Sequence, residues 1–148
     1  MTSSILISFN DSVSSKAALN FFIRLAFCKE DTHITLLHIL RKPTATEELM
    51  GKKFTKGQPA RFRAVLEKAR DKLLENGYSP NNIDIKLVTE SYITVSEGII
   101  DQCKGKSYDM IVIGRKRMTK SEEFVLGDIS TKLIRALEGM AILVVKSD

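Results

Sequence analysis

The residues best suited to chemistry lie between Val112 and Thr131, in the stretch VIGRKRMTKSEEFVLGDIST. An apolar run ends in Gly114, a basic and polar loop follows, and Gly127 opens what reads as a helix. That arrangement suits an anion. Glycine lets backbone N–H groups approach a phosphate closely, and a helix N-terminus adds free N–H groups and a favourable dipole. Efficient nucleotide turnover is unsupported. Gly114 is not followed by the Gly-Lys-Ser or Gly-Lys-Thr of a P-loop, and the chain contains no nucleophile elbow or kinase signature.

Other chemistry-bearing side chains carry less. Glu122 and Glu123 have the type of a hydrolytic base, but adjacent carboxylates in a polar loop read as solvated. His33 and His38, five residues apart on one predicted strand, face opposite sides and cannot share a metal. His38 reads as a structural residue of a crevice wall or core. Cys28 and Cys103 each end a predicted helix, with no CxxC spacing and no histidine cluster, and read as buried or half-buried free thiols. No metal site is expected. The cluster Lys52, Lys53 and Lys56 with Phe54 reads as a solvated loop.

A chain of 148 residues, 43% hydrophobic and 28% charged, fits one domain over 1–148 with a single core. No run approaches the roughly 18 apolar residues of a membrane span, and MTSSILISFNDS lacks the basic and long apolar regions of a leader peptide. The expected location is the cytoplasm, without membrane contact. The net charge of +5 is local: between Arg41 and Arg63 seven Lys or Arg face only Glu47 and Glu48, leaving 16 against 16 elsewhere. A basic connector, and not a nucleic-acid surface, is what this describes.

The elements that must position these residues alternate strand and helix. Apolar runs at Ile5–Phe9, His33–Leu40, Asp109–Gly114 and Met140–Val145 read as strands, and Ile83–Val88 alternates as a strand nearer an edge does. Between them lie amphipathic stretches: Ala18, Phe22 and Leu25; Phe62, Leu66, Ala69 and Leu73; Val95, Ile99 and Cys103; and Ile129, Leu133, Ile134 and Leu137. Pro59 suits the first turn of the second helix and Gly77 its C-terminal cap; Thr94 and Glu97 have capping-box spacing. Arg41–Gln58 reads as a long loop and the one candidate mobile segment. The pattern implies a mainly parallel sheet covered on both faces, with ligands beyond the carboxyl ends of the strands. Asn10 and Asp11, Leu40 with the start of the connector, and Gly114 onward then surround one crevice.

In order along nearly the whole chain, ILISFNDSVSSKAALNFFIRLA, ITLLHIL and YDMIVIG followed by LGDISTKLIRALEGMAILVV resemble the universal stress protein family. The resemblance implies an α/β, Rossmann-like, three-layer sandwich of the adenine nucleotide alpha hydrolase-like kind. Its sheet is five-stranded and parallel, in the order 3-2-1-4-5. A homodimer through the last strand is also implied, in keeping with ILVV as an apolar edge that calls for a neighbour. In the nucleotide-binding branch a G-x2-G-x9-G-[S/T] motif grips the phosphates of ATP with Mg²⁺. By that likeness Asn10 and Ile39 hold the base and ribose end, and Gly114, Gly127, Ile129 and Ser130 the phosphates.

The spacing of the motif survives and its chemistry changes. Arg117 stands at the middle glycine and Asp128 at the final Ser or Thr, while Asn10 stands where the family has aspartate. Asn10 keeps an acceptor for a ribose hydroxyl. Arg117 obstructs close backbone contact but brings a cation. Asp128 is the gravest change, because a carboxylate can cap the helix N-terminus itself. At about 4 Å from a phosphate charge it would repel by roughly 4 kcal/mol at an effective dielectric near 20, about a thousandfold in affinity. Arg115, Lys116 and Arg117 either offset that charge or pair with Asp128 and close the crevice. The expectation is a stress-response or signalling module, not an enzyme, that either takes ATP or a related adenine nucleotide or, the reading the changed loop favours, takes none. Two alternatives stand beside it: a weak nucleotide hydrolase or phosphotransferase, and a module docking an acidic protein or RNA through residues 41–63 with an empty crevice.

Overall fold

The computed structural model describes residues 2–126 and 128–147. Five strands, β1 (Ser3–Ser8), β2 (Thr32–Arg41), β3 (Ile83–Tyr92), β4 (Met110–Arg115) and β5 (Ala141–Lys146), form one sheet in the order β3-β2-β1-β4-β5. Every pairing is parallel. The parallel sheet is the one read from the apolar runs, its order is the one the family resemblance implies, and β3 is an edge.

Alternation along the strands divides the interior in two. Ile5, Ile7, Ile34 and Leu36 point to one face, where α1 (Val13–Arg24) and α3 (Lys52–Glu75) bury Phe22, Leu66 and Leu73. Leu6, Leu37, Ile39 and Ile111 point to the other, against Ile99 of α4 (Val95–Gly105) and Leu133 of α6 (Ile129–Ala136). Burying both faces explains why the central strands read as unbroken apolar runs.

Local signals set the ends. Ser12 caps α1, its hydroxyl accepting from Ser15 N at 3.1 Å, and Thr94 caps α4 by accepting from Glu97 N at 3.2 Å. Gly77, with φ of 94°, follows the C-terminus of α3 in the left-handed conformation that glycine adopts without strain.

The Arg41–Gln58 segment departs from expectation. It is not one long loop. β2 runs to Arg41, a short helix α2 covers Ala45–Leu49, and α3 begins at Lys52. Pro59 therefore lies inside α3 and not in its first turn, where its missing N–H forgoes one helical hydrogen bond. A second helix, α5 (Lys120–Leu126), occupies part of the stretch read as loop after β4. The cysteine reading also needs correction: Cys103 is half-buried, but Cys28 is exposed.

Candidate functional site

At the carboxyl ends of β1, β2 and β3 lies a crevice of about 490 Å³, with Asn10, Ile39, Arg41, Arg61, Phe62 and Glu90 among its lining residues. That volume is in the range of small-molecule sites. Sheet irregularity helps to open it. Ile39 pairs with Val88 and Arg41 with Tyr92, so two steps along β2 span four along β3. The extra length carries Thr89 and Glu90 into the crevice wall.

The floor is held by aromatic and backbone contacts. His38, only 9% exposed, stacks on Phe62 with ring centroids 3.9 Å apart. Its Nδ1–H donates to the Phe9 carbonyl at 3.1 Å. Burial lowers the His38 pKa, the Phe9 carbonyl opposing in part, so the ring is neutral near pH 7. His38 is thus the structural wall residue expected. Ile39 is buried beneath Gly98, where an added Cβ would lie 2.5 Å from the Ile39 side chain.

Asn10 follows β1 in a tight turn. Its side-chain carbonyl accepts from Ser12 N at 3.2 Å, and its own N–H donates to Ser15 Oγ at 3.4 Å. Asp11 takes a φ of 67° and pairs with Lys16 at 3.1 Å. At the other rim Arg41 Nη2 meets Glu47 Oε1 at 2.9 Å, and this contact, followed by those from Thr44, holds the Glu47 carboxyl below its ordinary range.

The glycine-flanked segment is built differently. Gly114 serves packing first: a Cβ there would lie 2.1 Å from the Ser14 carbonyl oxygen, so α1 crosses β4 only over a glycine. Asp128 caps α6, with Oδ1 accepting from Ser130 N at 3.1 Å and Ser130 Oγ at 2.7 Å. Its Oδ2 accepts from Thr131 Oγ1 at 2.8 Å and lies 3.1 Å from Arg115 Nη2. Burial opposes the charge on Asp128, but hydrogen bonds from Ser130 and Thr131 and the Arg115 charge outweigh it and lower its pKa.

Arg115 also pairs with Glu123. Glu123 is therefore not the solvated carboxylate expected, because the last residue of β4 delivers a guanidinium to it. Arg117 is exposed and makes no hydrogen bond or ion pair among the described residues. Ile129, at 43% exposure, and the buried Ser130 open α6. Gly127 lies outside the described residues.

Of the residues read as binding, Asn10 and Ile39 line the crevice; Gly114, Arg117, Asp128, Ile129 and Ser130 do not. The α3 wall, with Arg61 and Phe62, was not read as part of the crevice: Arg61 belonged to the basic 41–63 stretch and Phe62 to a recognised apolar stripe. Among the described residues no group of three or more His, Cys, Asp or Glu is placed to hold a metal ion, and no helix is long and apolar enough to cross a membrane.

The parallel 3-2-1-4-5 sheet with helices on both faces defines a Rossmann-like α/β fold. The model of the universal stress protein family matches residues 1–146, and the chain belongs to that family. A universal stress protein in complex with cAMP is similar at 14% identity, with a TM-score of 0.67, covering 97% of this chain and 95% of its own. A family protein from Arabidopsis thaliana with AMP bound is 18% identical, with a TM-score of 0.71 and coverage of 99% and 92%. Universal stress protein UspA from Lactobacillus plantarum is 17% identical, with a TM-score of 0.64 and coverage of 97% of each chain. At these identities the likeness speaks for the fold. A search of curated proteins returned no match.

Proposed function

We propose that this universal stress protein is a cytoplasmic binding module for stress response or signalling, not an enzyme, and that it takes an adenine nucleotide into the crevice. Asn10 and the backbone of Ile39 receive the base and ribose end. The observation that carries the reading is the crevice of about 490 Å³, which holds both residues in its lining. Two similar structures, one described with cAMP and one with AMP bound, support it.

The residues do not fit a triphosphate held at the α6 N-terminus. Ser130 N and Oγ, two groups that would meet a phosphate, both donate to Asp128. Glu123 and Asp128 are both held by Arg115, so Mg²⁺ finds no free carboxylate in that pair. Arg117, like Lys116, forms no ion pair among the described residues and brings charge to the loop without a backbone contact.

Release of any nucleotide carried by the purified protein, followed by calorimetric titration with AMP and Mg-ATP, tests this. The expected result is binding of both with ATP gaining little over AMP, and a gain for ATP in Arg117→Gly/Asp128→Ser. Failure of adenosine, AMP and ATP to bind either protein would overturn it. The outer strand β5, with Ile142 to Val145 half-buried and the nearby chain exposing Ile134 at 60%, supports a homodimer through that edge. Sedimentation as a monomer at high concentration would refute that pairing.

A further inference from the structure

We propose that the anion-holding wall of the crevice is formed by Arg41, Lys42 and Arg61, and that the ligand's phosphate faces this β2–α3 mouth instead of the N-terminus of α6. The proposal rests on the adenine reading above and specifies its ligand: a phosphate ester of mononucleotide size.

All three cations line the crevice, from the end of β2 and from α3. Two carboxylates share it. Glu47 is held by Arg41 at 2.9 Å and by Thr44 Oγ1 at 3.0 Å. Glu90 forms no ion pair among the described residues, and the Tyr92 hydroxyl beside it gives its one proton to Asp101; three cations against two carboxylates still leave the cleft positive. Lys42 and Arg61 form no ion pair among the described residues. The Arg61 guanidinium instead rests 5.2 Å from the Phe62 ring centroid, beside the aromatic stack that floors the crevice. Cations without counter-charges on the wall of a cleft concentrate an anion there.

The Arg41–Glu47 pair suits exchange. A phosphate presents the same pair of acceptor oxygens to a guanidinium as a carboxylate does. When phosphate takes Arg41, Glu47 keeps its bonds to Thr44, so α2 keeps its capping box. At α6 no comparable exchange is open, because releasing Arg115 would leave Glu123 and Asp128 facing the phosphate together.

The test is calorimetry on the full chain with adenosine, AMP and inorganic tripolyphosphate, comparing the unmodified protein with Arg41→Ala/Arg61→Ala and with Glu47→Gln. AMP is expected to bind about tenfold to a hundredfold tighter than adenosine, the size of a charge-assisted contact. The double variant should erase that difference and abolish tripolyphosphate binding, while Glu47→Gln should tighten AMP. Both arginines are exposed, and Arg61→Gln alone serves if the double variant fails to fold. Equal binding of adenosine and AMP, unchanged in the double variant, would overturn the wall and leave the adenine reading standing. Tripolyphosphate binding that the double variant loses, without adenosine or AMP binding, would keep the wall and overturn the adenine reading. No binding of any probe would overturn both.

Discussion

At the N-terminus of α6 a carboxylate stands where a phosphate would sit, with its hydrogen bonds filled by Ser130, Thr131 and Arg115. At the mouth between β2 and α3, Lys42 and Arg61 stand without carboxylate partners among the described residues, over an open crevice. Both regions lie beyond the carboxyl ends of a parallel sheet, where ligands of such folds collect. Position in the fold therefore does not distinguish the two regions. What differs is whether the charges and N–H groups there are already engaged by the chain.

Gly114→Ala should have the largest effect, because the backbone of α1 packs directly on β4 at this glycine. The new methyl would meet backbone of Ser14 and Ser15, at 2.1 Å and 2.8 Å, and backbone cannot swing aside as a flexible side chain can. A loss of about 3 kcal/mol or more is expected in urea unfolding. A near-neutral result would mean that this glycine is free for a ligand and not required by packing.

Asp128→Ala should come next. Loss of the cap costs about 1 to 2 kcal/mol and leaves Arg115 with Glu123 alone. Asp128→Ser keeps a capping oxygen and should recover most of that loss. If the two variants melt alike, the role of Asp128 is its charge and not its cap.

Acid titration of stability should separate the regions by their pH windows. His38 has its pKa lowered from 6.5 by burial, so below about pH 6.5 the unfolded chain binds the proton more readily, and stability falls until the folded pKa is passed. Asp128 has its pKa lowered from 3.8, so its contribution is present above about pH 3.8 and disappears as pH falls through the folded value. His38→Gln should flatten the first slope and leave the second. A first slope that persists in that variant would place the titrating group elsewhere.

Much of this architecture was legible in the residues. The strands announced themselves because burial on both faces requires continuous apolar runs, and α4 begins after Thr94 as the capping spacing predicts. The two short helices were missed for a physical reason. α2 buries no residue, so it has no apolar stripe to read. Its Thr44–Glu47 capping box and the matching Thr119–Glu122 contact ahead of α5 were the available signals.

The site was legible in spacing and illegible in pairing. That Asp128 would cap a helix followed from its type and position. That Arg115, of three consecutive basic residues, would reach it depends on how β4 delivers its last side chain across to α5 and α6, which no local pattern encodes. Phe62 shows the same limit: its helical stripe was evident, but its stack on His38 is a tertiary contact between residues 24 positions apart.

The strand order also bears on how the chain assembles. Every residue lining the crevice falls between Asn10 and Val95, so the crevice belongs to the β3-β2-β1 half of the sheet. During synthesis the residues of that half emerge before β4, which begins at Met110. Until β4 emerges, the far side of β1 is an unpaired edge of SSILIS, the kind of edge that captures other chains. The last third of the molecule thus seals the far edge of the central strand, although it contributes no residue to the crevice lining.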